Sequence, residues 1–108
     1  MKNGLVIDNS HKFWYKNDLL HREDGPAIEY ASGTKSWWLN GKCHREGGPA
    51  IEWADGSKFW FINGKLHRLD GPAKEYANGY KHWYYYDKKL QVNSQEEFSR
   101  LINLKLFW

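Results

Sequence analysis

The sequence predicts a mainly β protein: an antiparallel β-meander of hairpin repeats, about 3.5 units long, with one C-terminal α-helix. Three observations predict it. A seven-residue block recurs at a fixed step, two turn signals fall within each step, and short runs of strand-forming residues separate the turns.

The block His21-Arg22-Glu23-Asp24-Gly25-Pro26-Ala27 returns as His44-Arg45-Glu46-Gly47-Gly48-Pro49-Ala50 and as His67-Arg68-Leu69-Asp70-Gly71-Pro72-Ala73, each time 23 residues on. Lys12, Lys35, Lys58 and Lys81 keep that step, as do Trp14, Trp37, Trp60 and Trp83. Tyr15, Trp38, Phe61 and Tyr84 place a second aromatic beside each Trp, and Glu29, Glu52 and Glu75 recur. A period in the low twenties marks an array of supersecondary units, none able to bury its surface alone. The units span 8–30, 31–53, 54–76 and 77–93, and 94–108 forms the helical cap.

Asn40-Gly41 and Asn63-Gly64 read as two-residue hairpin turns, because both residue types tolerate positive φ. Ser32-Gly33, Asp55-Gly56 and Asn78-Gly79 supply the second turn. Runs such as Lys35-Ser36-Trp37-Trp38-Leu39 form the strands between, and Gly-Pro interrupts before the next one. A two-residue loop at Asn40-Gly41 sets Leu39 against Lys42, Trp38 against Cys43 and Trp37 against His44. A two-residue loop at Ser32-Gly33 sets Tyr30 against Lys35 and Glu29 against Ser36. One face then carries Ile28, Tyr30, Lys35, Trp37 and His44. The other carries Ala27, Glu29, Ser36, Trp38, Cys43 and Arg45, and a one-residue slip would exchange the two.

The fourth unit loses the pattern: Asp87-Lys88 replaces Asn-Gly, and no His-Arg follows. Ser94 and Glu97 form a capping box, and Phe98, Leu101, Ile102 and Leu106 continue at helical spacing. An amphipathic helix is predicted over 95–106, with capping of the sheet preferred to pairing with another chain.

Hydrophobic residues are 41% and charged residues 27%, which excludes wholesale disorder. Aromatics reach 18%, so rings supply most of the burial and leave some at the surface. A net charge of +3 permits an anionic partner without demanding one. The single cysteine, Cys43, excludes an internal disulfide and fits a reducing, cytoplasmic setting. No leader and no membrane span is read from the sequence.

The 23-residue step, the Asn-Gly-Lys turn and the His-Arg-x-Asp-Gly-Pro-Ala block resemble a MORN-variant repeat family, common in bacteriophage and large DNA-virus proteins. The resemblance covers roughly 8–90 and departs at Gly47, where the other units have Asp, and in the last unit. It implies an elongated hairpin sheet, a non-catalytic role in binding proteins or lipid headgroups, and a viral origin.

No Ser-His-Asp order, Gly-rich phosphate loop or metal-ligand spacing appears, so the reading is non-enzymatic, with no catalytic residue, metal or cofactor. Equivalent His residues on neighbouring units would stand about 10–15 Å apart, too far for one zinc. His21, His44, His67, Arg22, Arg45, Arg68, Glu29, Glu52 and Glu75 are therefore expected to be structural. Each His would stack on its cross-strand Trp and bond a turn carbonyl or the following Asp, Arg45 would flank Glu29, and Arg68 would flank Glu52. The expected binding face for protein or nucleotide carries Trp14, Trp37, Trp60, Trp83, Tyr84, Tyr85, Tyr86 and Trp108, with Lys35, Lys58 and Lys81. Three functional readings remain: a phage-encoded inhibitor docking on a host protein such as a defence factor, a nucleotide or single-stranded nucleic-acid binder, and a homo-oligomeric structural piece.

Overall fold

Each 23-residue step encodes two turns of different length, and that difference builds the sheet. A computed structural model describes residues 1–104. Within it, Gly4–Asp8, His11–Lys16, Ile28–Glu29, Lys35–Ser36, Ile51–Glu52, Lys58–Phe59, Lys74–Glu75, Lys81–Tyr85 and Lys88–Leu90 lie side by side, all antiparallel. Leu19–Leu20 pairs with His11–Lys16 to complete ten strands. Trp38–Leu39 with Lys42–Cys43, and Phe61–Ile62 with Lys65–Leu66, form two-stranded hairpins that continue the strands beyond the main sheet. The result is a thin slab, 46 × 29 × 18 Å.

The shorter turns hold two residues. Asn17-Asp18, Asn40-Gly41, Asn63-Gly64 and Tyr86-Asp87 all carry positive φ at both positions, the backbone that matches strand twist. Leu39 faces Lys42 and Trp38 faces Cys43, as the sequence predicts. The other turns are one residue longer than expected. Tyr30 N–H donates to Thr34 O, so Ala31, Ser32 and Gly33 form a three-residue loop, with Gly33 at φ +100°. Glu29 therefore faces Lys35 and Ile28 faces Ser36, correcting the expected register by one residue. Side chains directly opposite one another share a face, so Ile28 and Tyr30 join Ser36 and Trp38. Ala27 and Glu29 join Lys35 and Trp37.

The recurring block is a lid over the Trp it follows. Arg22, Arg45 and Arg68 lay their guanidinium carbons 3.9, 3.8 and 3.8 Å from the ring centres of Trp14, Trp37 and Trp60. Nη1 of each Arg donates to the carbonyl of Pro26, Pro49 or Pro72 and to the carboxylate of Glu29, Glu52 or Glu75. The Arg–Glu partners thus belong to one repeat, not to neighbouring repeats, because the register shift carries Glu29 away from Arg45. A Cβ at Gly71 would lie 2.5 Å from Arg68 Cζ, so a larger residue there displaces the guanidinium. Ala27, Ala50 and Ala73 are wholly buried, each bonded through its backbone to the flanking strands at a Trp.

His21, His44 and His67 stitch one repeat to the next. Each Nδ1 accepts a backbone N–H from the following hairpin turn, at Asn40, Asn63 and Tyr86, at 2.9, 2.9 and 3.1 Å. The partner is a turn amide rather than the expected carbonyl or Asp, and the group over each Trp is the Arg guanidinium rather than the His ring. His11 Nδ1, Thr34 Oγ1 and Ser57 Oγ do the same on the opposite side for Ala31, Ala54 and Ala77.

Both ends of the array are finished by other means. At the N-terminal end, the unpredicted strand Gly4–Asp8 pairs with His11–Lys16, and Asn3 Oδ1 accepts the Asn17 N–H. At the other end, the helix Gln95–Leu104 brings Phe98 onto Trp83, Leu90 and Val92, the main buried cluster. Glu97 N–H donates to Ser94 Oγ, and Glu97 Oε1 accepts from Asn93 N–H, forming the predicted start. Trp83 has no Arg over it; its Nε1–H donates to Gln95 Oε1 instead.

Replacing Arg68 by Ala is expected to lower unfolding stability by roughly 2–3 kcal/mol, with Lys recovering little because it lacks the planar fork. Gly71→Ala should cost about 1 kcal/mol or more by displacing the guanidinium. Urea midpoints of the three variants check both expectations.

Candidate functional site

The corrected register separates two chemically different faces. On the first, Lys12, Glu29, Lys35, Glu52, Lys58, Glu75 and Lys81 run across the sheet as directly opposed neighbours of alternating sign. Lys35, Lys58 and Lys81 are exposed, but a Glu stands between each and the next. Above this row lie Trp14, Trp37 and Trp60 under their Arg lids. Between the first two lids an open cleft of about 620 Å³ is lined by Arg22, Asp24, Trp37, His44, Arg45 and Glu46, again of both signs. Arg22 and Arg68 also donate through Nε to Asp24 and Asp70; Gly47 leaves Arg45 without that bond.

The second face carries rings without Arg lids; Lys2 lies over Tyr15, and Lys74 over Phe59 and Tyr84. Tyr30, Trp53 and Tyr76 form one column, and Tyr15, Trp38, Phe61 and Tyr84 form another. Phe59 stands edge-on between Trp53 and Tyr76, 5.5 Å from each ring centre. His82 meets Tyr76 in the same way, also at 5.5 Å. Burial, then Lys89 and Lys74, holds His82 below the ordinary histidine pKa. Tyr30 is 38% exposed and Trp53 41%, high values for rings of this size. Between them lies a groove of about 290 Å³, lined by Tyr30, Ser32, Thr34, Ser36, Trp38, Ile51 and Trp53.

The residues expected to bind are thus dispersed. Trp14, Trp37 and Trp60 are covered by Arg, and Trp83 is buried beneath the helix. Tyr85 packs against the helix-end core and against His67, while Tyr86 stacks on His67 at 3.7 Å. Tyr84 lies on the second face beside Lys74. Trp108 lies outside the described residues. Tyr30 and Trp53 are not among the residues expected to bind, although their 23-residue spacing with Tyr76 is a usable signal; a two-residue loop places Tyr30 on the face of Trp37, and the observed register places it on the face of Trp38.

Cys43 is buried where the neighbouring units place Leu20 and Leu66, and burial pushes its thiol up to about 12. It is therefore a packing residue without a reactive thiolate at neutral pH. Among the described residues no group of three His, Cys, Asp or Glu is placed to hold a metal ion, and no helix is long and apolar enough to cross a membrane. Neither a scan against family models nor searches of curated proteins and solved structures return a match to this chain.

Burial lowers the pKa of His67, whose Nδ1 must stay unprotonated to accept the Tyr86 N–H. A depressed folded-state pKa gives a contribution that is complete above the unfolded value near pH 6.5, and lost as pH falls through the folded value. Stability should therefore decline as pH falls from neutrality to the acid side of about pH 6.5. His67→Asn should have a lower urea midpoint at the higher pH, having lost the Tyr86 stack, but a smaller loss on acidification. An acid-side slope unchanged by the substitution would exclude this role.

Proposed function

We propose that the chain is a non-catalytic protein-binding module that docks through its second, aromatic face, as an inhibitor of a host protein would. The observation that carries this reading is the uncovered Tyr30–Trp53 surface, on a protein that lids or buries Trp14, Trp37, Trp60 and Trp83. Exposed rings beside a groove are the residue types and the shape that concentrate binding energy at protein interfaces. The alternating Lys–Glu row argues against the nucleic-acid alternative, since a strand of phosphates needs an uninterrupted cationic track. The family resemblance, which rests on the repeat residues alone, favours the same non-catalytic role.

The test is affinity capture from host lysate using the parent chain, a Tyr30→Ala/Trp53→Ala double variant and a Lys35→Ala/Lys58→Ala double variant. The parent and the lysine variant should retain one protein at fixed stoichiometry, without excess absorbance at 260 nm, and the aromatic variant should lose it. Capture by the aromatic variant equal to the parent's, or nucleic acid lost with the lysines, would reverse the assignment.

A further inference from the structure

The groove between Tyr30 and Trp53 exists because one ring of a repeating row is missing. Phe13, Ser36, Phe59 and His82 occupy equivalent positions, 23 residues apart, so three of the four are rings. Phe59 fills the space between Trp53 and Tyr76, meeting both edge-on at interplanar angles of 70° and 79°. One repeat earlier, the same space is bounded by Tyr30 and Trp53, but Ser36 sits at its base. The opening, about 290 Å³, is ample for a six-membered ring, since an apolar cavity of roughly 150 Å³ already takes benzene.

The base of the groove is polar in a specific way. Ser36 is 4% exposed; its Oγ accepts the Trp38 Nε1–H at 2.8 Å, and its hydroxyl proton has no acceptor among the described residues. Phe59 grows from the sheet outwards, so its ring edge points to solvent. A ring entering from outside arrives in the opposite sense, with its far edge at the base. An oxygen on that edge would meet the Ser36 hydroxyl.

We infer that this groove takes the side chain of a tyrosine from the partner protein, inserted phenol-first between Tyr30 and Trp53, its oxygen accepting a hydrogen bond from the Ser36 hydroxyl and its own proton turned to solvent at the groove's open side. The inference rests on the protein-binding reading above and names the anchor that this face receives. The groove is open on one side and covers only part of a small ligand, whereas a residue carried on a protein brings further surface onto the surrounding rings.

The test uses N-acetyl-tyrosinamide and N-acetyl-phenylalaninamide, titrated into the full chain while the indole N–H signals of Trp38 and Trp53 are followed by 1H–15N NMR. The tyrosine amide should shift both signals saturably, and the phenylalanine amide should bind about 3- to 10-fold more weakly, the difference of one hydrogen bond. Ser36→Phe, which fills the slot from within, should abolish the shifts while the Trp14, Trp37, Trp60 and Trp83 signals stay dispersed. Ser36→Ala should keep the slot and equalise the two amides, an outcome that does not depend on the Phe variant folding. Equal binding of both amides by the parent, no shift with either, or shifts that survive Ser36→Phe would overturn the inference. Partner capture separates this from the broader reading: capture retained by Ser36→Phe but lost by the Tyr30/Trp53 variant would sink the tyrosine slot alone. Capture retained by both would sink the binding face itself.

Discussion

A guanidinium laid on an indole ring is the contact on which the array depends. A one-layer sheet has no second layer to bury its rings, and a repeat of 23 residues is too short to supply one. The chain instead folds the segment after each Trp back over that Trp. Arg satisfies the Pro carbonyl and the Glu carboxylate while its planar face covers the ring, so one side chain provides apolar cover and closes the polar contacts. The neighbouring glycine and the buried alanine follow from that geometry: one gives the guanidinium room, and the other sits where the strand meets the next Trp-bearing strand.

Continuity along the array is carried by turn amides. A tight two-residue turn leaves an outward N–H, and the preceding repeat offers an imidazole nitrogen to accept it. The first and fourth units show the same requirement met by other groups: Asn3 Oδ1 accepts the Asn17 N–H, and Gln95 Oε1 accepts the Nε1–H of Trp83, which has no Arg over it. Repeat arrays need such end pieces because their terminal surfaces match an absent neighbour.

Much of this was legible in the residues. The constant step defined the units, Asn-Gly placed the tight turns, and Ser94 with Glu97 placed the helix start. The faces were not legible, because the choice between a two- and a three-residue loop at Ala31-Ser32-Gly33 is made by backbone geometry, and each added residue reverses every side chain beyond it. That one residue moved Tyr30 away from Trp37 and set Glu29 opposite Lys35. The candidate site was hidden by the same error, since an aromatic column becomes a groove only when its face is known.

The sequence by itself determined the repeat, its period, its strand-and-turn alphabet and its terminal helix, all of which depend on residues close together in the chain. Only the tertiary structure decided which Trp rings are covered, that Lys alternates with Glu across seven positions, and that Ser36 leaves a ring-sized gap between Tyr30 and Trp53. Those outcomes join residues from different repeats, and the alignment of one strand on the next is set by loop length and hydrogen-bond register, which composition and spacing leave open.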